Sequence, residues 1–292
     1  MERNLKILVT GANGQLGHCI QDLAKESEYA MHQYFFTDVD DLNICSYTAL
    51  DNFARSNQPD VIINAAAYTA VDNAEDDIEK AYLLNRDAVD NLARIAKAYN
   101  IYLVHISTDY VFSGEACHPY PPEAKVEPKS IYGKSKAAGE DKITASGCSA
   151  SIIRTSWLYS EYGKNFVKTM LKLGRERDEV NVVSDQIGGP TYAGDLAKAI
   201  FASIKANINK TGVQLYHYAD EGITSWYDFT QAIMEIGQLQ CKVNAIFTSE
   251  YPAKAPRPAY SVFDLSKTKR ELKVAIPYWR KSLILTINKL QK

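Results

Sequence analysis

A short apolar run that stops at a glycine leaves a chain few ways to continue, and this one begins with such a run. Leu5-Lys6-Ile7-Leu8-Val9-Thr10 ends at Gly11. It reads as a buried strand of a parallel sheet. Gly11-Ala12-Asn13-Gly14-Gln15-Leu16-Gly17 follows, and Leu16, Ile20, Leu23 and Ala24 then recur at helical spacing. Strand, glycine turn and helix in that order cradle a pyrophosphate on backbone N–H groups at a helix N-terminus. Gly11, Gly14, Gln15, Leu16 and Gly17 are therefore candidate cofactor contacts. The spacing is Gly-x-x-Gly-x-x-Gly rather than the commoner Gly-x-Gly-x-x-Gly.

The alternation continues. Gln33–Thr37 predicts a second strand, closed by Asp38. A carboxylate about twenty residues past the glycines accepts a hydrogen bond from a ribose 2′-hydroxyl. Asp40 and Asp41 follow, and no arginine stands in the loop to receive a 2′-phosphate. Arg3, before the first strand, falls at the opposite edge of the sheet. Charge thus favours NADH while leaving NADPH usable. Ser46 caps a helix carrying Leu50, Phe53 and Ala54, which Pro59 stops. Asp60–Ala67 is a further strand ending in small residues that let a flat ligand approach the backbone. Tyr68–Asp72 leads into one long helix, expected over residues 73 to 99. Asn85 falls in its middle, on the exposed face unless it serves a site. Ile101–Ile106 is the next strand and delivers Ser107 and Thr108 to the carboxyl edge, where open α/β sheets bind ligands.

A hydroxyl at that edge is followed by Tyr132-Gly133-Lys134-Ser135-Lys136. On a helix opened by Tyr132, Lys136 lies one turn on, on the same face, and Lys134 points elsewhere. A nearby ammonium lowers a tyrosine's pKa towards neutrality, which makes it a usable proton donor. Thr108, Tyr132 and Lys136 are the candidate catalytic set, with Thr108 and Tyr132 holding a carbonyl. A proline-rich loop from Ser113 to Ser130 borders the cleft. Ala150–Thr155 predicts another strand. The pattern gives a Rossmann-like doubly wound parallel sheet over residues 1–160. Residues 161–292, where helices and short strands are more widely spaced, form a smaller substrate lobe with segments crossing back to the sheet. Arg257, stiffened by Pro256 and Pro258, is a candidate partner for a diphosphate.

Composition excludes several classes. The 292 residues carry a formal net charge of −2 in mixed sequence, which is not the footprint of a nucleic-acid binder. No apolar stretch approaches a membrane span, and no leader-like segment precedes the first strand. The five cysteines are scattered, which argues against a disulfide framework and against a metal cluster, and fits a reducing cytoplasm.

Taken together, the glycine turn, Asn64-Ala65-Ala66-Ala67, Asn85, Ser107-Thr108 and Tyr132-x-x-x-Lys136 resemble the extended short-chain dehydrogenase/reductase family. Gly14–Gly17, Asn64–Asp72, Ser107–Phe112, Arg154–Trp157, Asn165-Phe166 and Asp185–Thr191 resemble its reductases of 4-keto sugar nucleotides, over nearly the whole chain. The resemblance implies that Tyr132 is the proton donor, Lys136 its activator and ribose clamp, and Thr108 the carbonyl-orienting hydroxyl. It implies cofactor contacts at Gly14, Gln15, Leu16, Asp38, Asp41, Leu42, Ala67, Tyr68 and Thr69, and substrate contacts at Thr108, Asp109 and Trp157. The implied reaction is hydride transfer from NADH or NADPH to C4 of dTDP-4-dehydro-L-rhamnose, by a monomer or homodimer. Two alternatives stand beside it. A 4,6-dehydratase or 4-epimerase shares the fold, but the dehydratases carry Asp-Glu after the threonine, and here Asp109 is followed by Tyr110. A non-catalytic cofactor-binding regulator has no need of Tyr132 and Lys136.

Overall fold

The computed structural model describes residues 4–291, so Arg3 lies outside the described residues. The first half alternates β1 (Lys6–Thr10), α1 (Gln15–Leu23), β2 (Gln33–Thr37), α2 (Tyr47–Asn57) and β3 (Val61–Asn64). Short helices α3 (Val71–Ala74) and α4 (Ile78–Tyr82) follow, then a π-helical turn (Leu83–Asp87), α5 (Ala88–Tyr99), β4 (Tyr102–Thr108), α6 (Ile131–Ser146) and β5 (Ala150–Thr155). The second half contains β6 (Leu158–Tyr159), α7 (Phe166–Glu176), β7 (Glu179–Val183), β8 (Ile187–Gly188), β9 (Thr191–Tyr192) and α8 (Ala193–Asn207). It continues through β10 (Val213–Tyr218), β11 (Thr224–Ser225), α9 (Trp226–Ile236), β12 (Lys242–Ile246), α10 (Ser266–Leu272) and α11 (Trp279–Leu290).

Six parallel strands form the sheet in the order β10-β5-β4-β3-β1-β2. This is the Rossmann-like, doubly wound α/β class. The order reverses at β1, so the carboxyl ends of β1, β3 and β4 open onto the crevice where such folds bind ligands. The strands are apolar throughout because helices cover both faces. On one face α1 and α8 pack Leu16, Ile20, Ala197 and Ile200 onto Ile7, Val9 and Ile63. On the other, α2 and α5 pack Leu50, Leu92 and Ile95 onto Leu8, Ile62 and Leu103, and Ile143 of α6 joins them. Full burial of one such side chain is worth roughly 1.5–3 kcal/mol.

Two segments from beyond residue 160 sit with the first half. Strand β10 pairs along the whole of β5, and α8 covers the β1 face. The rest of the second half gathers around α7, α9, α11 and the paired β7 and β12, with Phe229, Ile233 and Leu283 at its centre.

The single helix expected over residues 73 to 99 is broken into three, by a turn at residues 75–77 and by the π-helical turn. The second break goes with Asn85. It is fully buried rather than exposed, and the wider turn aims its amide inward.

Candidate active site

The glycine turn is shaped by close approach. Gly11 has φ +69°, and a Cβ there would lie 2.6 Å from the Ala66 backbone nitrogen. A Cβ on Gly17 would meet the Gly11 and Ala12 carbonyl oxygens at 2.5 Å. Only glycine lets the turn fold back on itself and on β3. Gly14 caps α1 with no side chain in the way, so the helix's first N–H groups face the crevice. Leu16 is buried beneath, and Gln15 Oε1 accepts from Asn165 Nδ2 at 2.9 Å, tying the turn to the second half.

Asp38 stands beside this cradle. Its Oδ2 accepts from Asn13 N at 3.0 Å, and Asp41 Oδ2 accepts from Asp38 N at 3.1 Å. Leu42 is buried against α2 and α5, and its backbone N–H donates to Asp38 O at 2.8 Å, which leaves its side chain no face towards a cofactor. Across the crevice, Asn85 Oδ1 accepts from Tyr68 N at 2.9 Å, and its Nδ2 donates to Tyr68 O at 3.0 Å and to Ser135 Oγ at 3.0 Å. Asn85 thereby fixes the Tyr68 backbone of the Ala67–Thr69 loop, which leaves β3 beside the glycine turn. The cradle, Asp38 and this loop fit a dinucleotide.

The reacting end lies where β4 meets α6. Ser130 caps α6 by accepting from Gly133 N at 3.1 Å, which brings Tyr132 into the first turn. Thr108 Oγ1 donates to Asp109 Oδ1 at 3.0 Å and accepts from Tyr110 N at 3.3 Å. The Tyr132 hydroxyl lies beside the same Thr108 side chain, and the Tyr110 ring packs edge-on against Tyr132 at 5.4 Å. Asp109 is buried, and burial raises its carboxyl to about 6 despite hydroxyls from Ser261 and Thr108.

Lys136 follows one turn on, as its spacing requires, but its amine turns to the sheet. Nζ donates to Ile106 O at 2.7 Å and lies 3.3 Å from His105 Nε2. Burial lowers the amine to about 8, with Glu140 partly opposing. Tyr132 moves opposite to expectation. Its pKa is raised, because burial disfavours the phenolate more than the Thr108 hydroxyl favours it. The sequence expectation of a phenol lowered by Lys136 is thus corrected. The buried ammonium satisfies itself on the β4 carbonyl.

Arg257 reaches the same cleft from the second half. It donates to Asp72 Oδ2 at 2.7 Å, and its Nη1 lies 3.5 Å from the Tyr110 hydroxyl. Asp72 also accepts from Ala255 N at 3.1 Å, which pins this segment over α3. Among the described residues, Ser107 Oγ and Arg257 Nε are buried polar atoms without a partner. Trp157, held at φ +47°, stacks on Trp226 at 3.6 Å and closes over Gly188.

A family model for the RmlD substrate binding domain matches residues 5–292. The chain belongs to that family. Among its relatives, the spore coat polysaccharide biosynthesis protein SpsK of Bacillus subtilis (strain 168) is 41% identical, covering 95% of each chain. The dTDP-4-dehydrorhamnose reductase of Aggregatibacter actinomycetemcomitans is 40% identical, covering 95% of this chain and 97% of its own. A solved dTDP-4-dehydrorhamnose reductase from Bacillus anthracis str. Ames, in complex with NADP, is 35% identical with a TM-score of 0.92, covering 98% of this chain and all of that one.

Within this family member the two ends of the crevice hold Gly11–Gly17, Asp38 and Ala67–Thr69 on one side and Thr108, Asp109, Tyr132 and Arg257 on the other. Sequence reasoning passed over Asp72, His105 and the Arg154–Glu140 pair. In that pair Arg154 Nε and Nη2 bond the Glu140 carboxylate at 2.9 and 2.6 Å. A charge inside the run Ile152-Ile153-Arg154 was the available signal, since a buried charge demands a partner.

Proposed function

We propose that this protein reduces the C4 ketone of dTDP-4-dehydro-L-rhamnose to dTDP-L-rhamnose with NADH or NADPH, with Tyr132 as proton donor. The observation that carries the reading is the Thr108–Tyr132 contact at the carboxyl edge of β4, within a chain 40% identical to a named reductase. When bound between Gly11–Gly17, Asp38 and Ala67–Thr69, the nicotinamide cofactor supplies the hydride. Asp109 Oδ1 and Tyr110 N fix the Thr108 hydroxyl beside the Tyr132 ring, so that both hydroxyls border the place of the C4 oxygen. The Tyr132 O–H bond breaks as its proton passes to the C4 oxygen. Lys136, one turn away, reaches the phenolate and the ribose hydroxyls once its amine turns from Ile106 O, which it holds in the unliganded structure. Arg257 binds the diphosphate, exchanging Asp72 for phosphate oxygens.

Tyr110, packed on Tyr132, stands where a dehydratase carries its second carboxylate, which favours simple reduction. No helix among the described residues is long and apolar enough to cross a membrane, and all five cysteines are free. A cytoplasmic setting suits the thiols, and the enzyme works as a monomer or homodimer. The test is oxidation of NADH or NADPH with the purified 4-keto sugar nucleotide. Tyr132→Phe lowers turnover by about 10²–10⁴ while leaving cofactor affinity intact. Wild-type turnover in that variant removes Tyr132 from the mechanism.

A further inference from the structure

Beneath the reacting residues runs a buried polar chain across three strands. Thr10 Oγ1 of β1 donates to Asn64 Oδ1 of β3 at 2.8 Å, and the Ala66 backbone N–H donates to the same oxygen at 3.2 Å. A backbone N–H cannot reverse its role, so the Asn64 amide is fixed with its oxygen on that side. Its Nδ2 therefore donates to His105 Nδ1, 3.0 Å away. His105 is fully buried, and burial holds it well below its ordinary pKa, so the ring is neutral. A neutral ring whose Nδ1 accepts carries its hydrogen on Nε2. That N–H points at Lys136 Nζ, 3.3 Å away. Two donors then oppose each other if Lys136 is an ammonium, whereas a neutral amine accepts from Nε2–H while still donating to Ile106 O.

We propose that His105 is a positioning residue for the reduction: its tautomer, fixed by Asn64, sets whether the Lys136 amine holds its third proton. The inference rests on Lys136 being the partner of Tyr132. The other ionisable groups around that amine are few. Glu140, one turn further along α6, favours the ammonium and is itself neutralised by Arg154 of β5. Tyr132 lies on the same helix, and Asp109 follows the end of β4. From the π-helical turn packed on α6, uncharged Asn85 meets Ser135.

The test has two arms. Nitrogen-15 NMR of the histidine-labelled protein, without substrate, reads the His105 tautomer directly. A proton on Nε2 is expected. A proton on Nδ1, or on both nitrogens, overturns the proposal whether or not the protein turns over sugar nucleotide. In the second arm, turnover of NADH and the 4-keto sugar nucleotide is followed against pH. In the wild type the rate falls as pH rises through about 8, where Lys136 loses its charge. Asn64→Asp supplies a second acceptor, moves the proton to Nδ1 and presents a bare Nε2 to the ammonium. His105→Phe removes the opposing N–H without adding charge. Both variants shift the alkaline limb upward by about one pH unit or more. A merely structural His105 lowers the rate or stability and leaves the limb in place, and an unmoved limb in both variants overturns the proposal.

Discussion

Asn85→Ala gives the sharpest test of how the fold positions the cofactor loop. The substitution removes hydrogen bonds of 2.9, 3.0 and 3.0 Å at a side chain with no solvent exposure. At about 1 kcal/mol net for each bond, and about 1 kcal/mol more for the stranded groups of half-buried Tyr68, the loss is about 3–4 kcal/mol. In a chain of this length each kcal/mol moves Tm by about 2 °C, so the melt falls by about 6–8 °C. The same change frees Ala67–Thr69 from its anchor. Fixing one residue's backbone again on binding costs about 1–2 kcal/mol, and each 1.4 kcal/mol is about tenfold in affinity. The Kd for NADH therefore rises about tenfold or more, measured by calorimetric titration. Asn85→Asp keeps the acceptor for Tyr68 N but buries a carboxylate against Tyr68 O, and loses at least as much as Asn85→Ala. A normal melt together with a Kd changed by less than about two-fold, or ~0.4 kcal/mol, refutes the assignment of Asn85 as the anchor.

Three further predictions follow from the cleft. Arg257→Ala raises the sugar-nucleotide KM by about 10–100-fold, the loss of a charge-assisted contact of about 1.5–3 kcal/mol, and leaves the NADH KM alone; an unchanged substrate KM makes Arg257 a strap held by Asp72. NADH gives the higher kcat/KM in the wild type, and Asp38→Asn shifts the ratio towards NADPH by about tenfold, since one charge repelling a 2′-phosphate near the surface is worth about 1–2 kcal/mol; steady-state kinetics with both cofactors decides it. Asp109 holds its proton to about 6 when folded against 3.8 when unfolded, so its contribution to stability falls as pH rises from about 4 to about 6. Asp109→Asn therefore raises stability more at about pH 7.5, by ~2–3 kcal/mol, than at about pH 5; thermal melts at the two pH values read it, and equal gains at both contradict the buried ionisation.

How much of this was readable in the chain depends on distance along it. Strands β1, β3, β4 and β5 announce themselves as apolar runs, and Gly11, Gly17 and the Tyr132–Lys136 spacing each follow from a local rule. Asn85 does not, because helical periodicity carries no sign of a π-helical turn, and only the Tyr68 backbone across the crevice explains it. The Tyr132–Lys136 spacing placed both residues on one face, yet the direction of the Lys136 amine was decided by Ile106 and His105 on another element. His105 was visible as a lone polar residue in Val104-His105-Ile106, but its partner Asn64 is brought alongside only by the register of β3 and β4. Arg257 pairs with Asp72 across most of the chain, beyond the reach of any window.

The place of β10 has a consequence for how the protein is made. Its residues, 213–218, complete the hydrogen bonds along the outer edge of β5. While the chain is being synthesised, β5 leaves the ribosome long before its neighbour exists. For that interval its N–H and C=O groups form an open edge, ready to pair with another chain. The face of β1 awaiting α8 is bare for nearly as long. The catalytic residues are all translated by then, but the sheet that orders them is not closed. A fragment ending near residue 160 would carry the glycine turn, Thr108, Tyr132 and Lys136, though not Arg257, and still stick to its neighbours, and the burden of folding in a crowded cell should fall on this first half.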